Sequence, residues 1–388
     1  YKGISGGLGS YAQRDPAKHM LRLRLPGGRL TINRLEFLAK IIEKEKVNRI
    51  KLTTCETIQL HDLLVEQVPD IMKKAIDCDI YTKGGGGDNP RNVMASPLSG
   101  VQQGECFDVM PWAEAVTGYL LSICRDIHMP RKLKIAFCNG VDDCVHSAFR
   151  DMGFLANPDG TFSVRIAGGL GAAKPSMGLL VEEHAKPQDV LYYVRAMIEV
   201  FCAHGNYENR AKARTRFLQD TLGCDGLREA FLKEVDALKK IGGLELSMLE
   251  KTEVQKQSDG GTIEDCRVIP QKQPGLYAVK YHPIGGLLPI DKPRKLYELL
   301  KDMNEAEIRI APDESLYIIN LNSAETKKVL EATNDSARTE FEHSVACIGS
   351  ATCQQGVRDS QGVLQVLVEA VREAGIEDGF LPKICISG

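Results

Sequence analysis

No stretch of this sequence comes near the roughly 18 consecutive apolar residues that a membrane-spanning helix needs, and the opening Y-K-G-I-S-G-G-L-G-S has no signal-peptide core. These absences make a cytoplasmic protein with no membrane span the expectation. An excess of either charge is also missing: the net charge is -3 and the isoelectric point about 6.3, so there is no electrostatic footprint for nucleic acid, and basic residues matter only where they cluster. The 12 cysteines are spread over 388 residues rather than packed into a small-domain framework. That usage suits a reducing compartment, with thiols free or bound to metal. The first residue is Tyr1 rather than Met, from which a processed or partial polypeptide is expected.

What is present is enough chain for two or three domains. An alternating strand, His19 to Leu25, ends in a Pro-Gly-Gly turn and carries Arg22 and Arg24 on one face. Helical spacing follows over Thr31 to Lys46, then a strand from Arg49 to His61 and a helix from Val68 to Ile76. Gly84 to Gly87 form a hinge into the irregular stretch 89–100. A helix is predicted over Pro111 to His128, and a strand over 130–140. The same order then returns: 275–289 restates strand and turn, Pro293 to Met303 the helix, and 307–319 the second strand. Gly28 to Lys51 and Gly286 to Arg309 are both steps of 23 residues (51 − 28, 309 − 286). The chain is therefore a diverged duplication. Between the copies lie the Gly-rich 165–175, helices predicted over Pro187 to His204, Tyr207 to Leu222 and Leu227 to Lys240, and a polar linker over 250–265.

In copy two, V-A-C-I-G-S-A-T-C (345–353) falls where copy one has N-V-M-A-S-P-L-S-G (92–100). Cys347 and Cys353 stand five residues apart, bridged by small residues that let backbone approach whatever the sulfurs hold. Thiolates suit iron or zinc, although such a pair is often just two buried thiols. Cys138 and Cys144 repeat the spacing in copy one, a weaker candidate for a second metal site.

Four ordered motifs, M-L-R-L-R-L-P-G-G (20–28), R-N-V-M-A-S-P-L-S-G (91–100), P-R-K-L-K (130–134) and C-x5-C (347–353), together with the duplication, resemble the sirohaem-dependent sulfite and nitrite reductases over essentially the whole chain. The resemblance implies an α+β fold, internally duplicated: ferredoxin-like half-domains at 1–85 and 266–335, a sirohaem-binding α/β lobe with a helical insert and linker at 86–265, and the start of a second lobe at 336–388. It implies sirohaem coupled to a [4Fe-4S] cluster, and six-electron reduction of sulfite or, alternatively, nitrite, with ferredoxin or a reductase subunit as donor. The family's second cluster motif, C-x3-C in a C-P-N-x-C-G turn, is not reached before Gly388, so a truncated chain with an incomplete or absent cluster is expected, and Cys385 is not promoted to ligand. A non-catalytic tetrapyrrole-binding or structural homologue is the rival of another class.

Carried over residue by residue, the resemblance makes Arg22, Arg91, Lys132 and Lys134 the cations on the substrate side. Four cations converge only if an anion offsets them. Lys132 and Lys134 alternate and share a side; the alternative is an exposed edge strand. Relatives that prefer nitrite commonly have Asn where this chain has Lys134, which leans the reading to sulfite. The cofactor candidates are Lys51, Gln59, His61, Arg91, Asn92, Ser96, Gly168, Gly169, Arg214 and Arg216. Against each stands a plainer reading: a solvated helix face for R-A-K-A-R-T-R (210–216), a turn for the glycines, a cap for Asn92 and Ser96, a satisfied structural residue for His61. Lys51 and Cys55 replace arginines usual in the family, weakening carboxylate anchoring at that edge. The metal ligands implied are Cys347 and Cys353.

Overall fold

The computed structural model describes every residue except Tyr1, Ala172, Ala173, Met248, Glu250, Lys251 and Thr252, so parts of the Gly-rich 165–175 and of the 250–265 linker lie outside the described residues. The chain divides into two compact units, one of Tyr1–Ser5, Gly9–Thr82 and Val254–Gly388, the other of Gly6–Leu8 and Lys83–Glu253. Among the described residues no helix is long and apolar enough to cross a membrane.

The first unit holds both half-domains, and they are interlocked. One antiparallel sheet runs Ser10–Ala12, Lys18–Leu23, Ile58–Leu64, Arg49–Leu52 and then Leu287–Leu288 of the other copy. Its counterpart runs Val268–Pro270, Tyr277–Tyr281, Leu316–Leu321, Glu307–Ile310 and then Arg29–Leu30. Each copy thus lends the two residues after its Gly-Gly turn to the other copy's sheet. The registers match: Arg22 faces Gln59 and Lys51 faces Gln59, while Lys280 faces Tyr317 and Arg309 faces Tyr317. Leu287 lies beside Lys51 as Arg29 lies beside Arg309. Every equivalence is an offset of 258 (280 − 22, 317 − 59, 309 − 51, 287 − 29). The turns need glycine. Gly28 sits at φ 67 with Ile310 O 2.3 Å from where a Cβ would be, and Gly286 at φ 68 with the Lys51 ammonium 2.5 Å from that point.

The helices Ile32–Glu45, Gln67–Ile76 and Lys292–Leu300 cover the apolar faces, and Leu21, Leu23, Ile50, Leu60, Tyr281, Ile308 and Ile318 of both copies share one core. Thr31 caps the first of these helices and Lys46 ends it in the left-handed region. The stretches 49–61 and 307–319, expected as single strands, are hairpins. T-T-C-E-T contains no Gly or Pro, yet the Thr53 hydroxyl accepts from the Cys55 and Thr57 N–H groups and Glu56 takes φ 55.

In the second unit, Leu179–Ala185, Phe162–Ile166, Met152–Ala156, Ile135–Cys138 and Met94–Ala95 form a mixed sheet whose last two junctions are parallel. It packs on Met110–Ile123 and Val190–His204 around Phe137, Phe154 and Phe162. The strand expected over 130–140 is regular only from Ile135, with Leu133 an isolated bridge to Pro90. The helix expected over Tyr207–Leu222 is absent. Residues Arg210–Lys212 and Thr215–Phe217 are short 3-10 turns, and a helix runs Leu218–Ile241 through a break at Gly223. R-A-K-A-R-T-R is therefore not a solvated helix face.

Candidate anion and metal sites

In the second unit the bridge between Pro90 and Leu133 lays the segment of Arg91 alongside that of Lys132 and Lys134, with the Arg91 N–H donating to Leu133 O at 2.8 Å. The Arg91 guanidinium donates to the carbonyls of Gly85 (2.8 Å) and Gly87 (2.9 Å), which is what the glycine hinge does. Lys132 is half-buried, and no described residue forms a hydrogen bond or ion pair with its ammonium. Burial, and then the charges of Lys134, Arg91, Arg214 and Arg131, pull it down from 10.5 to about 7. Of those four cations Arg214 and Arg131 are themselves met by carboxylates, Asp151 and Asp88.

Two carboxylates that sequence reasoning missed hold the cations from behind. Asp151, fully buried, accepts the Lys134 N–H at 2.8 Å, the Arg214 guanidinium at 2.9 Å and the Thr215 hydroxyl. Asp88 takes Arg131 at 3.0 Å and Arg210 at 2.8 Å. Arg216 is 7% exposed, lies over the Phe217 ring, and has no partner for its buried Nε; burial and then Arg214 lower its pKa. A Cβ on Gly171 would stand 2.6 Å from its Nη2 and one on Gly169 3.4 Å from its Cδ. Gly168 instead donates to Arg150 O at 2.9 Å. The close approach these glycines permit is thus to the protein's own Arg150 and Arg216. The Ser96 hydroxyl accepts the Asn139 N–H at 3.1 Å, and Asn92 is buried beside Arg91.

In the first unit, Arg22, Gln59 and Lys51 lie in one cross-strand row, with His61 and Arg49 the next pair on that face. The Gln59 amide bridges them, its oxygen accepting from Arg22 Nη2 at 2.6 Å and its nitrogen donating to His61 Nε2 at 3.2 Å. Burial, then Arg49, Arg22 and Lys51, push His61 down to about 3, so it stays neutral. Burial lowers Arg22 as well, opposed by Cys55 and Tyr11. Lys51, expected at a cofactor carboxylate, has its ammonium paired with Glu314 of the other copy and donating to Gly285 O at 2.9 Å, and both paired side chains are only 5% exposed. The ion pair locks the two copies together.

Cys347 and Cys353 share a loop in which Gly349, at φ 70, lets Ser360 approach to 2.8 Å of its missing Cβ. Burial raises the Cys347 thiol, but hydrogen bonds from the Gly388 N–H, Ser360, Gly349 and Ser387 outweigh it and hold the group below its usual value. Cys385 pairs with Val345 in a two-residue strand and is exposed. Among the described residues no three His, Cys, Asp or Glu side chains gather as a metal site, at Cys138 and Cys144 or elsewhere.

Residues 11–77 and 269–336 match the family model for the nitrite/sulfite reductase ferredoxin-like half domain, and 86–239 that for the nitrite and sulphite reductase 4Fe-4S domain. Cys347 and Cys353 lie outside the latter span. The chain is 26% identical over 369 residues to the chloroplastic ferredoxin–nitrite reductase of Arabidopsis thaliana, covering 92% of this chain and 62% of that protein. To the ferredoxin–nitrite reductase of Synechococcus elongatus it is 28% identical over 360 residues, 87% of this chain and 67% of the relative. The chain thus spans about two thirds or less of the curated relatives it matches. The Mycobacterium tuberculosis NirA protein superposes with a TM-score of 0.82 at 24% identity, over 100% of this chain and 74% of that one, which shows the shared fold.

Proposed function

Because the chain belongs to the nitrite and sulphite reductase family, we propose that it serves the six-electron reduction of a small oxyanion, nitrite ahead of sulfite, with ferredoxin as donor. The lean from Lys134 toward sulfite gives way to the names of its relatives, which are ferredoxin–nitrite reductases. The observation that carries the reading is Lys132: a half-buried ammonium lowered to about 7 by burial and by the charges of Lys134, Arg91, Arg214 and Arg131. Such a cluster is costly unless an anion completes it.

The residues present fit a polycarboxylate cofactor. Arg216 offers a buried guanidinium Nε without an acceptor, in a cradle that a side chain on Gly171 would fill, and a two-oxygen anion matches its fork. Arg216 and Arg214 would hold sirohaem, and Cys347 and Cys353 would give thiolates to an iron-sulfur cluster. When bound, these groups supply the electrons and the iron for the oxyanion. The chain's own part is electrostatic and protonic. Lys134 and Arg91 attract the anion and stabilise charge on departing oxygen. Lys132, near 7, is a proton donor matched to neutral pH; nitrite needs eight protons with its six electrons to become ammonium and two waters. Arg22, on the face of its own unit, is assigned anion binding there.

The purified chain, given sirohaem anaerobically, should take it up and change its visible spectrum with nitrite more than with sulfite. Arg216→Gln should weaken uptake and Lys132→Gln the nitrite response. No uptake by the unmodified chain would overturn the cofactor assignment, and a spectrum indifferent to nitrite the substrate.

A further inference from the structure

Among the described residues, 347–359 form no helix or strand, and Gly349, Gly356 and the small residues between Cys347 and Cys353 give this loop little stiffness of its own. Its two cysteines are held by different parts of the fold. Cys347 is held by its own lobe: its N–H donates to Ile386 O at 3.0 Å, and its Sγ lies 2.9 Å from the Ser360 hydroxyl. Cys353 bonds within its own turn, its N–H donating to Gly349 O at 3.0 Å and its carbonyl accepting the Gly356 N–H at 3.3 Å. Among the described residues, every hydrogen bond that ties 352–356 to the fold outside the loop is made with Gln13 and Arg14. The Arg14 N–H donates to Thr352 O at 2.8 Å. Its Nη2 donates to Gly356 O and, at 3.4 Å, to Cys353 O, and Gln354 Nε2 donates to Gln13 O at 2.9 Å. The side-chain bonds of Arg14 are charge-assisted, the stronger kind.

Gln13 is itself fixed by a clamp that the duplication builds twice. Only 5% exposed, it donates to Asp62 Oδ1 at 2.6 Å and accepts the Asp62 N–H at 2.8 Å. Copy two repeats the pair at the offset of 258 (271 − 13, 320 − 62): Gln271 donates to Asn320 Oδ1 at 3.0 Å and accepts the Asn320 N–H at 2.7 Å. Asp62 and Asn320 both stand at φ 61, a left-handed backbone that costs energy and that the paired amide holds in place. The clamp is therefore part of the fold in each copy, and in copy one the dipeptide it fixes grips the thiol arm.

We propose that Arg14 is the positioning residue of the Cys353 arm, with Gln13 as its anchor: a side chain 339 positions away in sequence sets the backbone from which the second thiol is presented beside the first. The inference rests on Cys347 and Cys353 acting together as thiolate ligands. The test uses the full chain, reduced and anaerobic, with two readouts. Hydrogen exchange of 350–356, followed by mass spectrometry, needs no ligand. Arg14→Ala, a change at an exposed residue, should speed it at least tenfold, and Arg14→Lys, whose ammonium can donate to both carbonyls, should recover most of the protection. Phenylarsine oxide, which condenses with two adjacent thiols and releases water, probes the pair. It should shield Cys347 and Cys353 together from iodoacetamide, as mapped on peptides, and Arg14→Ala should raise the concentration required at least tenfold. Gln13→Leu should act as Arg14→Ala does. Gln271→Leu breaks the matching clamp of copy two and should leave both readouts at the values of the unmodified chain, which separates positioning from a general loss of stability. Unchanged exchange in Arg14→Ala, or equal effects of Gln271→Leu and Gln13→Leu, would overturn the proposal. If the arsenical does not shield the pair in the unmodified chain, the ligand reading falls, and exchange of 350–356 still decides the role of Arg14.

Discussion

Anion binding at the Lys132 cluster should take up a proton. The fall of the ammonium from 10.5 to about 7 corresponds to about 5 kcal/mol of unfavourable interaction with the charged form, at 1.36 kcal/mol per pH unit. A bound monoanion at about 4 Å returns about 4 kcal/mol at an effective dielectric of 20, nearly restoring the ordinary value. Below about pH 7 Lys132 is already charged and binding takes up no proton. Above it, binding should draw close to one proton per anion, and affinity for nitrite should fall up to tenfold per pH unit toward pH 9. Calorimetry in two buffers of different ionisation enthalpy counts that proton. Lys132→Gln should flatten the profile as well as weaken binding. Stability moves the opposite way. A base with a depressed folded pKa loses stability as pH falls from 10.5 through about 7, so Lys132→Met should stabilise the fold at neutral pH by up to about 5 kcal/mol. Affinity independent of pH from 6 to 9, or an unchanged slope in Lys132→Gln, would refute the reasoning.

Lys51→Met should cost about 3–5 kcal/mol because it strands Glu314, whereas Lys51→Met/Glu314→Leu should lie within about 1 kcal/mol of the parent; equal losses in chemical denaturation would remove the interlock argument. Gly286→Ala should destabilise by at least about 1–2 kcal/mol from the left-handed backbone alone, with Gly28→Ala its pseudo-symmetric match; a neutral result at either position would show that the turn relaxes. Lys134→Asn should raise nitrite turnover relative to sulfite, and an unchanged ratio would end its role in choosing between them. Cys55→Asp should place beside Arg22 the carboxylate that copy two already has and weaken anion binding to that face, as read by titration with sulfate; unaltered affinity would separate Arg22 from anion binding.

The duplication was legible because it is written in residues with no substitute: two Gly-Gly turns at positive φ, each 23 residues before a strand cation. The hairpins were not, because Thr53 and Glu56 make a turn through a hydroxyl and one strained backbone angle rather than through Gly or Pro. Nor was the environment of the cations. Arg214 meets Asp151 across 63 residues, Arg210 meets Asp88 across 122, and Lys51 meets Glu314 across 263. A positive charge announces itself in sequence, but whether it is neutralised depends on contacts that only folding makes. Motif matching therefore named Lys51 and Lys132 alike, and burial with partners separates them.

That separation follows a rule visible within the duplication itself. At the register of Arg22, copy two has Lys280, bonded to Asp313 at 2.9 Å, and the copy-one counterpart of Asp313 is Cys55 (313 − 258). At the register of Lys51, copy two has Arg309, paired with Glu307. In copy two the strand cations thus have carboxylate partners within the copy. Copy one gives one cation, Lys51, to the interlock and has a thiol, with no permanent charge, where copy two has a carboxylate. The Arg22 guanidinium is met there by the Gln59 amide, a neutral partner where copy two has a carboxylate. The same logic runs in reverse at the cysteine loop, where copy one is closed by its own Asn139–Gln102 hydrogen bond and copy two carries the thiols. Duplication placed the same backbone twice, and the side chains that meet on it differ between the copies.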